Sequence, residues 1–158
     1  MKGEPAKGVW AMKSNPVTLR QEADVGDAAV DGLLAGIAAG IVMAAYLVGV
    51  SLFGEGVAVL NRFDPSGVSP AVGTLMHLAV SGVYGAVFGI VSNWIRRFNL
   101  PAWLSGLIFG LVLFALAETF ILPTGHSALA GIPIVHFGIA HVIYGLVIGI
   151  IINRNSKS

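Results

Sequence analysis

Four apolar runs, each long enough to cross a bilayer, constrain this chain more than any other feature. They cover residues 27–53, 70–95, 101–122 and 133–152, with polar or turn-forming segments between them. A hydrocarbon core about 30 Å thick takes roughly 20 helical residues. Within it each backbone N–H and C=O must find a partner inside the protein, which for isolated runs of this length means helix. The expected fold class is therefore all-α, a polytopic membrane protein with four transmembrane helices. Composition agrees: 56% of the 158 residues are hydrophobic and only 11% charged, against about 25% charged in a soluble domain. Mean hydropathy is +0.84.

Glycine spacing says how the runs pack. Residues 141–150 read His-Val-Ile-Tyr-Gly-Leu-Val-Ile-Gly-Ile, and residues 81–90 read Ser-Gly-Val-Tyr-Gly-Ala-Val-Phe-Gly-Ile. Aligning the Tyr-Gly-xxx-Gly motifs superimposes Gly85 and Gly89 on Gly145 and Gly149, and Ser81 on His141. The first and third runs carry matching rows, Gly32, Gly36 and Gly40 in one and Gly106 and Gly110 in the other. Small residues at i, i+4 let membrane helices approach closely. The chain thus reads as two repeated hairpins. Both enter the membrane in the same direction, which implies a pseudo-twofold axis along the membrane normal.

Between the runs the chain reads as turns and tails. Residues 1–26 form a polar tail, with Val9, Trp10 and Met12 as apolar islands that suit either a free tail or a docking segment. Asp24, Asp27 and Asp31 fall in or before the first turns of the first span, where carboxylates complement the helix dipole. Asp64-Pro65-Ser66-Gly67 is a turn signature; residues 57–63 suit a short interfacial helix, and Ser69-Pro70 suits an N-cap followed by a first-turn proline. Asn99-Leu100-Pro101 makes a tight turn, Pro123-Thr124-Gly125 ends the third span, and His126 reads as a solvated loop residue. Residues 153–158 are a polar stop. Eight of the nine Lys and Arg lie in the two tails and the middle loop; only Arg62 lies elsewhere. The positive-inside rule then places both termini and the middle loop in the cytoplasm.

The glycine-rich first span, the His-xxx-Ser-xx-Tyr-Gly-xxx-Gly second span, the Gly-Leu-Ile-Phe-Gly-Leu-Val-Leu third span and the His-Val-Ile-Tyr-Gly-Leu-Val-Ile-Gly fourth span resemble the small bacterial inner-membrane proteins of the YagU-like kind. The resemblance covers residues 32–152. It implies a multi-pass, four-helix bacterial inner-membrane protein, and it supplies no catalytic residues.

Several function classes are excluded. Without cysteine there are no disulfides, thiolate metal sites or iron–sulfur clusters. A net charge of +1 gives no field for nucleic acid. Phosphate loops, His-Glu-xx-His and serine elbows are missing. What remains are polar groups inside the apolar runs. At about 1.5 Å per residue, His77 lies about 10 Å and His141 about 12 Å from the non-cytoplasmic ends of their spans, and Glu118 lies within about 8 Å of its own. Intramembrane ionisable residues are functional candidates by default. His77 and His141 suit axial ligation of a b-type haem, or, with Glu118, a divalent cation or a proton relay. The conservative alternative is that both histidines donate to a neighbouring carbonyl, a tyrosine or Glu118 and hold helices together. His141 is expected to face the bundle interior with Tyr144 on the same side, and His136 to reach headgroups or water. With no aqueous domain and no catalytic motif, the chain reads as a non-catalytic accessory or structural subunit of a larger membrane complex. Its expected partners are the lipid bilayer and other membrane subunits or a second copy. A transporter is disfavoured by four spans without a mid-membrane helix break.

Overall fold

The structure is a computed structural model that describes residues 16–51, 56–124 and 128–155, with side chains for 24–51, 56–123 and 129–153. The apolar islands of the N-terminal tail, Phe53, Gly125, His126 and the last three residues lie outside the described residues. Those described form helices and turns with no strand. Helix α1 is Pro16–Ser51, α2 is Pro70–Ile95, α3 is Ala102–Leu116 and α4 is Ile134–Asn155. Four stretches are long and apolar enough to cross a membrane: Asp24–Ser51, Pro70–Phe98, Ala102–Ile121 and Ile134–Asn153. The all-α polytopic expectation holds, and α2 begins and ends where the sequence places it.

Two boundaries differ. The apolar span opens at Asp24, close to residue 27, but helix α1 itself begins at Pro16. Pro16 opens the helix and no breaker follows it, so the backbone runs on through a polar stretch that the apolar pattern left out. Asp24, Asp27 and Asp31 are consequently well inside α1, which has no acidic residue in its first turn. Their reading as partners of the helix dipole is overturned, because that effect fades within the first turn. The second difference is in the third span. After Leu116 the helix widens into a π-helical turn, Ala117–Ile121, before a 3-10 turn at Leu122–Thr124.

The turn signals hold at atomic detail. The Ser69 hydroxyl accepts from the Val72 N–H at 3.3 Å and caps α2, with Pro70 in its first turn. Asn99 sits in the left-handed region (φ 54°), and its N–H donates to the Arg96 carbonyl. The expected short helix between the first two spans is a 3-10 helix, Gly56–Phe63. It presses so closely on α2 that a Cβ at Gly73 would overlap the Leu60 carbonyl.

The two hairpins close through the same backbone contact. A Cβ on Gly32 would meet the carbonyl of Gly85 and, at 2.9 Å, the Cα of Gly89; a Cβ on Gly36 would meet the carbonyl of Ser81 and, at 2.7 Å, the Cα of Gly85. In the other hairpin a Cβ on Gly106 would meet the carbonyl of Gly145 and, at 2.8 Å, the Cα of Gly149; on Gly110 it would meet the carbonyl of His141 and, at 3.1 Å, the Cα of Gly145. Ser81 and His141 hold matching places. Gly40 meets the Ser81 side chain instead. All ten small residues singled out in the sequence are therefore in helix contacts within the chain.

A strict twofold relation between the hairpins would make α2 pack on α3 as α4 packs on α1. It does not. Helices α1 and α4 lie along each other and bury Ala35, Ala39, Met43, Leu47, Phe137, Ala140, Tyr144 and Ile148, whereas α2 and α3 scarcely touch. The bundle is open along one seam, and the site lies there.

Candidate functional site in the open seam

A cavity of about 700 Å³ fills the seam near the end that carries the 3-10 helix. Helix α2 supplies Met76, His77, Val80, Ser81 and Tyr84, and α3 with its π turn supplies Leu113, Leu116, Ala117 and Ile121. Phe137, His141 and Tyr144 of α4 and Met43 of α1 form the floor. The roof is Arg62 to Gly67 with Leu129. Apolar side chains dominate, with a few polar groups among them, as in small-molecule sites generally.

Both intramembrane histidines face this cavity. His77, 6% exposed, donates from Nε2 to the Gly40 carbonyl at 3.0 Å and packs at a tilt against the Phe63 ring with centroids 4.6 Å apart. That carbonyl belongs to α1, so the bond ties the first hairpin together. His141 donates from Nδ1 to the Phe137 carbonyl at 2.8 Å, one turn back on its own helix. Phe137 and Phe114 flank its ring with centroids 4.5 and 5.9 Å away. Carbonyls accept only, so in each neutral ring these bonds settle which nitrogen carries the proton. His141 points inward as expected. Tyr144, 2% exposed, lies on the same side and gives its hydroxyl proton to the Ser81 carbonyl at 2.7 Å, joining α4 to α2.

Glu118 does not join them. Ala117 lines the cavity, and Glu118, the next residue, points elsewhere around the helix. Its Oε1 is buried without a hydrogen-bond partner among the described residues. No three His, Asp or Glu side chains among the described residues come close enough to hold a metal ion, so the set of His77, Glu118 and His141 does not assemble. Depth along the membrane normal was matched; direction around each helix was not. Haem b fits poorly as well. His141 presents Nε2 in the manner of an axial ligand, but His77 uses its Nε2 on Gly40 and leaves Nδ1. That nitrogen is bonded to Cγ, the atom that joins the ring to the rest of the residue, and is the more hindered of the two toward a large planar group.

Three pairings were not legible beforehand. His136, expected to reach headgroups or water, bonds through Nδ1 to the Tyr46 hydroxyl at 2.9 Å and links α4 to α1. Asp64, read only as a turn former, latches the roof. Its carboxylate accepts from the Ser66 N–H (2.9 Å) and hydroxyl (2.6 Å) and from the Ser69 N–H (3.0 Å). These bonds, the Ser66 hydroxyl first, hold its pKa at about 2, below the ordinary 3.8. The Arg62 guanidinium lies against Gly131, so the two loops meet above the cavity. Arg62, the lone positive charge between the first two spans, was the available signal for that contact.

At the opposite end Asp24, Asp27 and Asp31 face Ser92, Asn93 and Arg96 across a second cavity of about 570 Å³. No protein-family model, no curated protein and no solved structure matches this chain.

Proposed function

We propose that this is a non-catalytic integral membrane protein that takes a small, largely apolar ligand from the bilayer into the seam between α2 and α3. One observation carries the reading: α2 and α3 part along a cavity whose rim, Met76, Val80, Leu116 and Ile121, is apolar and exposed at membrane depth while its interior holds two histidines. An apolar-bodied molecule crosses such a rim without leaving hydrocarbon. The distribution of Lys and Arg supports an orientation with both termini and the α2–α3 turn in the cytoplasm; a bacterial inner-membrane setting rests on the YagU-like resemblance alone. The matching glycine contacts support descent of the two hairpins from one repeated unit. The YagU-like resemblance over residues 32–152 carries the same four-helix expectation and no reaction.

A structural-subunit role ranks second. Small-residue rows would be natural surfaces for other subunits, and those in this chain lie against its own helices. The ligand reading is tested by native mass spectrometry of protein released from membranes in mild detergent. One amphiphile per chain is expected, and Val80→Trp, which fills the seam from its rim, removes it. Wild-type protein that carries no amphiphile, and takes up none when offered lipophilic extracts, refutes the reading.

A further inference from the structure

Three polar groups deep in the cavity, His77, His141 and Tyr144, share a property that a list of side chains does not reveal: each has already used its one hydrogen-bond donor. A neutral imidazole has one N–H and one lone pair. His77 gives its Nε2–H to Gly40 and keeps a lone pair on Nδ1; His141 gives its Nδ1–H to Phe137 and keeps a lone pair on Nε2. Neither remaining nitrogen has a hydrogen-bond partner among the described residues. Tyr144 gives its only hydroxyl proton to Ser81 and is left with oxygen lone pairs. Three backbone carbonyls, one from each of α1, α2 and α4, have thus converted the inner part of the cavity into a set of acceptors. Among the other polar lining groups, the Ser81 hydroxyl lies against Gly40 of α1, Arg62, Asp64 and Ser66 lie in the roof, and Tyr84 stands on the rim. The Ser66 hydroxyl and N–H both point to Asp64.

We infer that the cavity selects a ligand that donates hydrogen bonds, with a phenol or hydroquinone headgroup on an apolar body, and rejects a carbonyl headgroup of the same size. This rests on the reading of the seam as a ligand site. The reason is asymmetric. A hydroxyl satisfies an acceptor that is otherwise unmet in an apolar surrounding, whereas a quinone carbonyl sets lone pair against lone pair and leaves the nitrogens unpaired. Size is not limiting, since about 700 Å³ accommodates a substituted ring and part of a tail.

Three probes of nearly equal size separate donor chemistry from shape: a decyl hydroquinone, the corresponding quinone, and the hydroquinone dimethyl ether. Binding to the full chain in phosphatidylcholine nanodiscs is measured without oxygen. The hydroquinone is expected to bind about tenfold more tightly than either of the others, the scale of one or two net hydrogen bonds. In His141→Phe, which keeps an aromatic ring between Phe114 and Phe137, that preference is expected to shrink several-fold. Nitrogen-15 NMR of histidine in the wild-type protein provides a reading that needs no variant to fold. His77 is expected as the Nε2–H tautomer, His141 as the Nδ1–H tautomer, with the unprotonated nitrogens shifting on addition of the hydroquinone. Equal binding of all three probes, or tighter binding of the quinone, overturns the donor rule and leaves the cavity reading standing. Failure of all three to bind removes both.

Discussion

Gly36→Ala is the substitution whose outcome the glycine contacts determine most directly. On an isolated helix, Ala in place of Gly is favourable by about 0.5–1 kcal/mol. Here the new methyl would overlap the Ser81 carbonyl and stand 2.7 Å from the Gly85 Cα and 3.1 Å from its nitrogen. Carbon atoms in contact rest about 3.5–4.0 Å apart, so α1 and α2 must separate by about 1 Å. The atoms in the way are backbone, so no rotamer change relieves them. Overpacking costs about 1–3 kcal/mol, and separation further weakens the His77 bond to Gly40, which spans the same interface. The net expectation is a loss of about 1–2 kcal/mol after the helix gain is subtracted. Gly49 is the internal control, because a Cβ there meets nothing within 4 Å; Gly49→Ala should be neutral or slightly stabilising. Gly36 and Gly85 oppose each other, so Gly36→Ala with Gly85→Ala should cost less than the two singles added, the second methyl entering a gap already opened. Reversible unfolding in bicelles by steric trapping measures all four variants against the wild type. If Gly36→Ala unfolds no more easily than Gly49→Ala, the close approach of the two backbones is wrong.

Other expectations are independent of the glycines. Tyr144→Phe removes the hydrogen bond to the Ser81 carbonyl and should lower stability by about 0.5–1.5 kcal/mol, the range for interhelical bonds in membranes; the same unfolding measurement decides, and no change would mean that this carbonyl finds another donor. Asp64 has its folded pKa lowered to about 2 from 3.8. Its contribution is fully present above pH 3.8 and is lost as pH falls toward 2; amide exchange at Ser66 and Ser69 should accelerate through that window in the wild type and be pH-independent, beyond intrinsic exchange, in Asp64→Ala. A reduced-minus-oxidised optical spectrum of the protein purified from membranes should show no Soret band, because His77 offers Nδ1 to the cavity; a stoichiometric b-type spectrum that is lost in His77→Ala would contradict that geometry.

What the sequence determined by itself was whatever depends on one helix at a time. Apolar run length sets the number of spans, Ser69-Pro70 sets where α2 begins, Asn99 places the left-handed turn a few residues beyond its end, and periodicity puts His141, Tyr144, Gly145 and Gly149 on packed faces. Depth along a helix is also local, so His77 and His141 were placed at one level before any fold was known. Apolarity was a poorer guide at the ends of α1, because a helix continues through polar residues wherever nothing breaks it, and Asp24 to Asp31 moved from its first turn to its interior. Tertiary structure alone decided which face meets which. A glycine row demands a close neighbour without specifying whether that neighbour belongs to the same chain, and both rows turned inward. Equivalent hairpins predict equivalent seams, yet α1 and α4 close theirs while α2 and α3 leave a cavity. Glu118 matched the histidines in depth and missed them in direction, because azimuth between helices depends on how the helices are docked. The donor count in the cavity is settled the same way: Gly40, Phe137 and Ser81 present carbonyls to His77, His141 and Tyr144, and in two of the three pairs those carbonyls come from another helix.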